Sequence, residues 1–376
     1  MSSTPTPILD NSIINDIRKS SQFKGISFSR FKNTEVRKQL LENLMKSKIE
    51  PACYWAAELI CAGHFGDVWE CILYFVGKHI HLGNPKIVIY LEKRYTVFRN
   101  IMQQGHFTNE LQLRNNSTVR KIFAEIISVI SLSNKKNSFE TIKINRVEEF
   151  DMTQMTERLK APNVNYAQPI IHAEDPKELF IAINEFSYHI SNENPNMLLA
   201  CYWIEWIIEF DIICKKRKEP CLCKRRKLSV ESKYQRDIIW IIWDALIYYS
   251  ENLNSNENST SKSPNLFIQN IMNSLKNLFC IKYTTASCKK RKYLLYFAVE
   301  LLTEVVPTNI ELINNKETIE NVTEKIDQIY KQIKKNEESP NTDYLFSNLE
   351  TENNFENSVK KLEMLQTLDF ATKPEN

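Results

Sequence analysis

Two stretches of this chain carry nearly the same residues in the same order. Ala52-Cys53-Tyr54-Trp55, with Glu58 and Ile60 downstream, returns as Ala200-Cys201-Tyr202-Trp203 with Glu205 and Ile207. Trp69-Glu70-Cys71-Ile72-Leu73-Tyr74-Phe75 returns as Trp243-Asp244-Ala245-Leu246-Ile247-Tyr248-Tyr249. Asn84-Pro85 returns as Ser263-Pro264, and Phe123-Ala124 with Glu125 returns as Phe297-Ala298 with Glu300. Correspondences that keep their order imply a duplicated structural unit, which constrains the architecture before any single element is assigned. A repeat specifies a fold and leaves the activity open.

The stretches between these landmarks read as helices. Asn33 suits an N-cap, and Val36, Leu40, Leu41 and Leu44 after it share one face. Pro51 suits the first turn of a second helix, and Gly63 the position just past its end. Asp67-x-x-Glu70 reads as a capping box opening a third helix through Trp69, Ile72, Leu73, Phe75 and Val76. That helix is apolar on nearly every side, as a central helix would be. A fourth runs from Asn84-Pro85 to Gly105, and a fifth from Thr118 to Leu132. In the second unit, helices are predicted over about 176–190, 197–214, 235–250, 264–282 and 290–305.

The expected organisation is an N-terminal arm over 1–32, helical unit 1 over 33–133, a linker over 134–174 and helical unit 2 over 175–306. Phe23, Ile26, Phe28 and Phe31 suggest that part of the arm docks on the body, and Phe139–Ile144 reads as a short strand in the linker. Unit 2 replaces the short Gly63–Gly66 turn by a basic insertion over 214–234. One amphipathic helix follows over 307–335, through Ile319, Val322, Ile326, Ile329 and Ile333. Residues 336–376 read as a flexible acidic tail. The fold class is therefore all-α: two tandem helical units from an internal duplication, a C-terminal helix and the tail.

Composition narrows function mostly by exclusion. Six glycines in 376 residues argue against a glycine-rich nucleotide fold. No apolar run is long enough to cross a bilayer, so no membrane partner is expected. Residues 1–10 lack a basic and an apolar region, so no secretory signal is expected, and the nine cysteines read as reduced thiols. Gly77-Lys78-His79 lacks the glycine loop and the Ser/Thr of a phosphate-binding loop, and no hydrolase or metalloprotease motif occurs. The expectation is a non-enzyme without a cofactor.

Three candidate sites remain. His64, His79, His81 and His106 read as helix-end or surface histidines; a metal there would need Glu58, Asp67 or Glu70. Cys214, Cys221 and Cys223, with Cys288 or Cys280 as a fourth, could make a zinc site, although their C-x6-C-x-C spacing lacks paired C-x2-C motifs. Lys215-Lys216-Arg217-Lys218 and Lys224-Arg225-Arg226-Lys227 crowd eight cations into 13 residues of the insertion, although the net charge of the whole chain is only +3. They are candidate contacts to nucleic-acid phosphates, a nuclear-import patch, or a plain solvated loop. Lys289-Lys290-Arg291-Lys292 is a third basic run. The six tryptophans lie in apolar helical runs and are assigned to the core.

Gly25-Ile26-Ser27-Phe28-Ser29-Arg30-Phe31-Lys32, then Glu35-Val36-Arg37-Lys38, Ala52 through His64, Gly77-Lys78-His79-Ile80 and Gly83-Asn84-Pro85-Lys86, resemble an uncharacterised helical protein family of large nucleocytoplasmic DNA viruses. The resemblance covers most of 24–130 and carries no activity; it implies a viral protein in the host cytoplasm or nucleus, or in the virion. The A-x-Y-W-x-A pattern of Ala52 to Gly63, with Asn84-Pro85 and Tyr95, is similar to the helical C-terminal domain of clamp-loader-like AAA+ ATPases, which oligomerises as a collar. Without the ATPase module, that similarity implies only scaffolding or self-association. Two functions are thus expected in competition. One is a scaffold or accessory protein in viral replication, transcription or packaging, with protein partners and nucleic acid as a candidate partner. The other is a structural virion component without nucleic-acid contact.

Overall fold

The computed structural model describes residues 12–105, 110–146, 148, 150, 156–253 and 263–338. Among them the chain is all-α, with thirteen α-helices and no β-strand. The expected tail beyond residue 338, and His106, lie outside the described residues. Helices α1 (Asn33–Met45), α2 (Ile49–Cys61), α3 (Phe65–Phe75), α4 (Ile87–Gln104) and α5 (Ser117–Leu132) make the first half. Helices α6 (Phe180–Ile190), α7 (Met197–Lys216), α8 (Ile239–Glu251), α9 (Ser263–Phe279), the short α10 (Thr285–Lys290) and α11 (Lys292–Thr303) make the second. Helices α12 (Lys316–Glu324) and α13 (Ile326–Lys334) complete the chain.

The helix signals hold in most places and fail in instructive ones. Gly63 takes φ +80° after α2, where a side chain would be strained, and a Cβ there would stand 3.1 Å from Leu111 Cδ2. The Asp67/Glu70 capping box does not form, because the helix begins at Phe65 with His64 as its N-cap and Asp67 already lies in the first turn. Asp67 pairs with Arg37 at 3.1 Å, and Glu70 accepts from Arg291 of the second half. The stretch 139–144 forms no strand: Phe139 is buried and its amide donates to the Lys78 carbonyl at 3.1 Å.

Several helix pairings recur in the two halves, although α8 packs on α9 more extensively than α3 does on α4. Helix α1 packs on α2 and α3 as α6 packs on α7 and α8, and α5 covers α2 and α4 as α11 covers α7 and α9. Trp69 in α3 and Trp243 in α8 are both buried, and the indole N–H of each has no acceptor among the described residues. The halves also differ. Trp203 is buried, but Trp55 is half-buried, edge-on to the exposed Phe31. Glu58 stands three residues after Trp55 and Glu205 two after Trp203, a difference of one residue that turns the carboxylates roughly 100° apart. Glu58 accordingly accepts from Ser27, Ser29 and Tyr54, while Glu205 accepts from Tyr296 at 2.6 Å and pairs with Lys292 at 2.7 Å.

Residues 12–32 are more than a docked arm. Phe23 and Phe28 are fully buried, and Arg18, itself buried, lies 4.7 Å from both ring centroids while pairing with Asp16. The expected single C-terminal helix breaks at Lys325 into α12, packed on α5, and α13, packed on α2. Ile319 of α12 and Ile326, Tyr330 and Ile333 of α13 are all buried. Arg120 of α5 lies 4.0 Å over the Tyr330 ring and pairs with Asp327 at 2.8 Å. The two ends of the described chain meet: the Asn15 amide donates to Glu337 and the Ile17 amide to the Glu338 carbonyl.

Candidate functional site

The basic insertion is a fastened structure. Helix α7 runs two residues past its predicted end, so Lys215 and Lys216 lie in its last turn, where cations complement the free carbonyls. Beyond it, Leu222 bridges to Asp237, the Cys223 amide donates to the Arg236 carbonyl at 2.9 Å, and the Arg226 amide to the Gln235 carbonyl at 3.0 Å. Arg226 is 8% exposed and donates to both oxygens of Asp175, at 2.5 and 2.8 Å, and to Asp244 at 2.8 Å. Burial opposes its charge, but the two carboxylates outweigh burial and hold the guanidinium protonated. Arg226 is therefore an internal brace and drops out of the phosphate-contact set. Lys215 is committed to Asp211 at 2.5 Å. Lys224 is half-buried, and its amide donates to Asp175. Lys216, Arg217, Lys218, Arg225 and Lys227 are exposed, with no ion-pair partner among the described residues.

The cysteine quartet does not assemble. Among the described residues no group of three or more His, Cys, Asp or Glu side chains is placed to hold a metal ion. Cys223 turns inward, its Sγ donating to the Asp237 carbonyl at 3.3 Å, and Cys288 is buried in α10. Burial pushes the Cys221, Cys223 and Cys288 thiols up to about 12, and raises Cys214. The described residues thus do not bring the four thiols together as a tetrahedral zinc site. The histidine reading is corrected in one place: His81 is buried, with Nδ1 2.8 Å from Glu300 and its ring stacked 4.1 Å from Phe139.

Within the third basic run, Arg291 joins the halves, reaching Glu70 of α3 as well as the Phe279 carbonyl, while Lys292 and Lys289 pair inside the second half with Glu205 and Glu209, at 2.7 and 3.0 Å. Beside this junction lies a feature that sequence reasoning missed: a cleft of about 730 Å³ between α1, α3 and the α10–α11 corner. Its floor is apolar, with Leu41, Met45, Cys71, Tyr74 and Tyr293. Seven lysine and arginine side chains line it against two carboxylates, Glu42 and Glu70. Both carboxylates are engaged, Glu42 with Lys38 at 3.9 Å and Glu70 with Arg291. Lys46, Lys78 and Lys290 have no carboxylate partner among the described residues.

Lys78 is placed by an irregular backbone. After α3 the chain winds into a π-helical turn, Val76–Ile80, a form often found at functional sites. Gly77 permits this turn to lie against α11: a Cβ there would stand 2.9 Å from the Tyr293 carbonyl carbon. The Lys78 ammonium consequently sits 5.4 and 5.1 Å from the ring centroids of Tyr74 and Tyr293, and donates to the Tyr74 hydroxyl at 3.1 Å. The sequence signal for this cleft is faint, because Lys46, Lys78 and Lys290 come from three distant stretches. No protein-family model, curated protein or solved structure matches this chain.

Proposed function

We propose that the protein is a non-enzymatic helical scaffold or accessory factor, of the kind a large DNA virus uses in replication, transcription or packaging, and that it touches nucleic-acid backbone through the insertion. The observation that carries this reading is the contrast in cation use. Arg18, Arg120, Arg226, Arg291 and Lys292 are buried in ion pairs that tie the body together. Lys216, Arg217, Lys218, Arg225 and Lys227 are left exposed on an insertion with no counterpart in the first half. Such a surface neutralises phosphates without reading bases. The matched neighbours of the two halves support an origin by internal duplication, with the insertion added later.

The test is titration of labelled duplex and single-stranded DNA at two salt concentrations. Binding is expected to be sequence-independent and to weaken steeply with salt. Replacing the five exposed cations by Gln should flatten the salt dependence and leave the melting temperature unchanged. Absence of binding at low salt by the folded chain would sink the nucleic-acid reading and leave the structural virion component as the account to pursue.

A further inference from the structure

We propose that the cleft between the two halves is a second binding site, separate from the insertion, for a nucleoside polyphosphate. The cleft sets three requirements on its occupant. Its volume, about 730 Å³, falls within the range of roughly 300–1,000 Å³ typical of small-ligand sites and suits a nucleotide. Its floor of Leu41, Met45, Tyr74 and Tyr293 asks for an apolar or aromatic body. Its surplus of cations, with Lys46, Lys78 and Lys290 unmatched by any carboxylate among the described residues, asks for several negative charges on one molecule. A nucleobase joined to two or three phosphates meets all three. Lysine ammoniums serve phosphates as point charges and do not need the planar, two-pronged geometry of arginine.

Lys78 is prepared for this role. A cation partly withdrawn from water between two phenol rings gains strongly from a nearby anion, because the low local dielectric strengthens the attraction. The same end of the cleft is positive in character: after burial, Lys78, His81 and Lys135 act to keep His79 unprotonated. His79 also faces the Ser138 hydroxyl, its Nδ1 2.5 Å from Oγ.

The experiment is calorimetric titration of the full chain with ATP and GTP in the absence of divalent cation. Adenosine, inorganic triphosphate and oligo(dT) serve as comparison ligands. Nucleoside triphosphates are expected to bind at least tenfold more tightly than either adenosine or triphosphate alone. Lys78→Gln with Lys290→Gln should weaken nucleotide binding at least tenfold while DNA binding is retained, and Lys227→Gln should leave nucleotide binding unchanged. Thermal melting of each variant checks that it is folded. The proposal is overturned if no nucleotide binds, if triphosphate alone binds as well, or if the cleft substitutions have no effect in folded protein. Oligo(dT) displacing nucleotide at lower concentrations than free nucleotide does would also overturn it, as would preferential capture of an acidic peptide.

Discussion

His81 Nδ1 lies 2.8 Å from Glu300 Oε2, a buried hydrogen bond between residues 219 positions apart that ties the first half of the chain to the second. The ring is pinned from its other side by the Asn137 carbonyl at 3.0 Å. His81 adopts φ +31°, an unusual backbone state for a residue with a side chain, held by packing on both sides. Its removal should therefore be costly. In His81→Ala the Glu300 carboxylate stays buried without its imidazole, and stability should fall by about 3 kcal/mol, as when one partner of a buried pair is lost. Urea unfolding would measure this. A loss below about 1 kcal/mol would mean that the two halves do not depend on this contact.

Core assignments separate the tryptophans. Trp69 is buried among Tyr95, Phe98 and Phe123, with centroids 5.1 to 6.1 Å away, so Trp69→Ala should cost about 3–5 kcal/mol. Trp55 is half-buried, and its replacement by Ala should cost less than half as much. Lys218→Ala should cost less than about 0.5 kcal/mol. Three melting curves suffice, and a loss at Trp55 equal to that at Trp69 would contradict the difference between the halves.

Helix positions were legible because apolar spacing survives in a single sequence: α5 begins one residue from its predicted start and ends where expected. What failed were readings that treated a charged residue as belonging to its own neighbourhood. Asp67 and Glu70 have the spacing of a capping box, yet Arg37 and Arg291 claim them from 30 and 221 residues away. Arg226 sits in a basic run that looks solvated, yet Asp175 claims it from 51 residues away. Local spacing cannot register such partners. The cleft was invisible for the same reason, since its unpaired lysines come together only through tertiary packing.

Within the insertion, adjacent arginines should behave in opposite ways. Arg226→Ala exposes Asp175, which is 5% exposed, to burial without its cation, so a loss of about 3 kcal/mol is expected. Arg225 is exposed, and Arg225→Ala should be thermally silent while weakening DNA binding. Equal melting shifts would show that the loop is not fastened by Arg226.

Acid should weaken the fold in a window that His79 defines. Burial, then the charges of Lys78, His81 and Lys135, push its imidazole down from 6.5 to about 4. The folded state therefore resists a proton that the unfolded chain accepts near pH 6.5. Below that pH the unfolded state binds more protons, and stability falls as pH drops from 6.5 toward 4; above 6.5 this contribution is fully present. Such a lowering would correspond to roughly 3 kcal/mol if unscreened, and half-exposure reduces it to about 1–2 kcal/mol. Asp175 adds acid sensitivity at lower pH: burial raises its carboxyl, but hydrogen bonds from Arg226 and two amides outweigh that and hold it below 3.8, so its contribution is lost as pH falls through that range. Between pH 7 and 5 the carboxylate contribution is small, but His189, whose imidazole burial also pushes down, adds to the decline, so the share of His79 is read from a variant. Over that interval His79→Gln should flatten the decline while leaving stability at pH 7 within about 1 kcal/mol of the parent, and an unchanged slope would assign the acid sensitivity to another group.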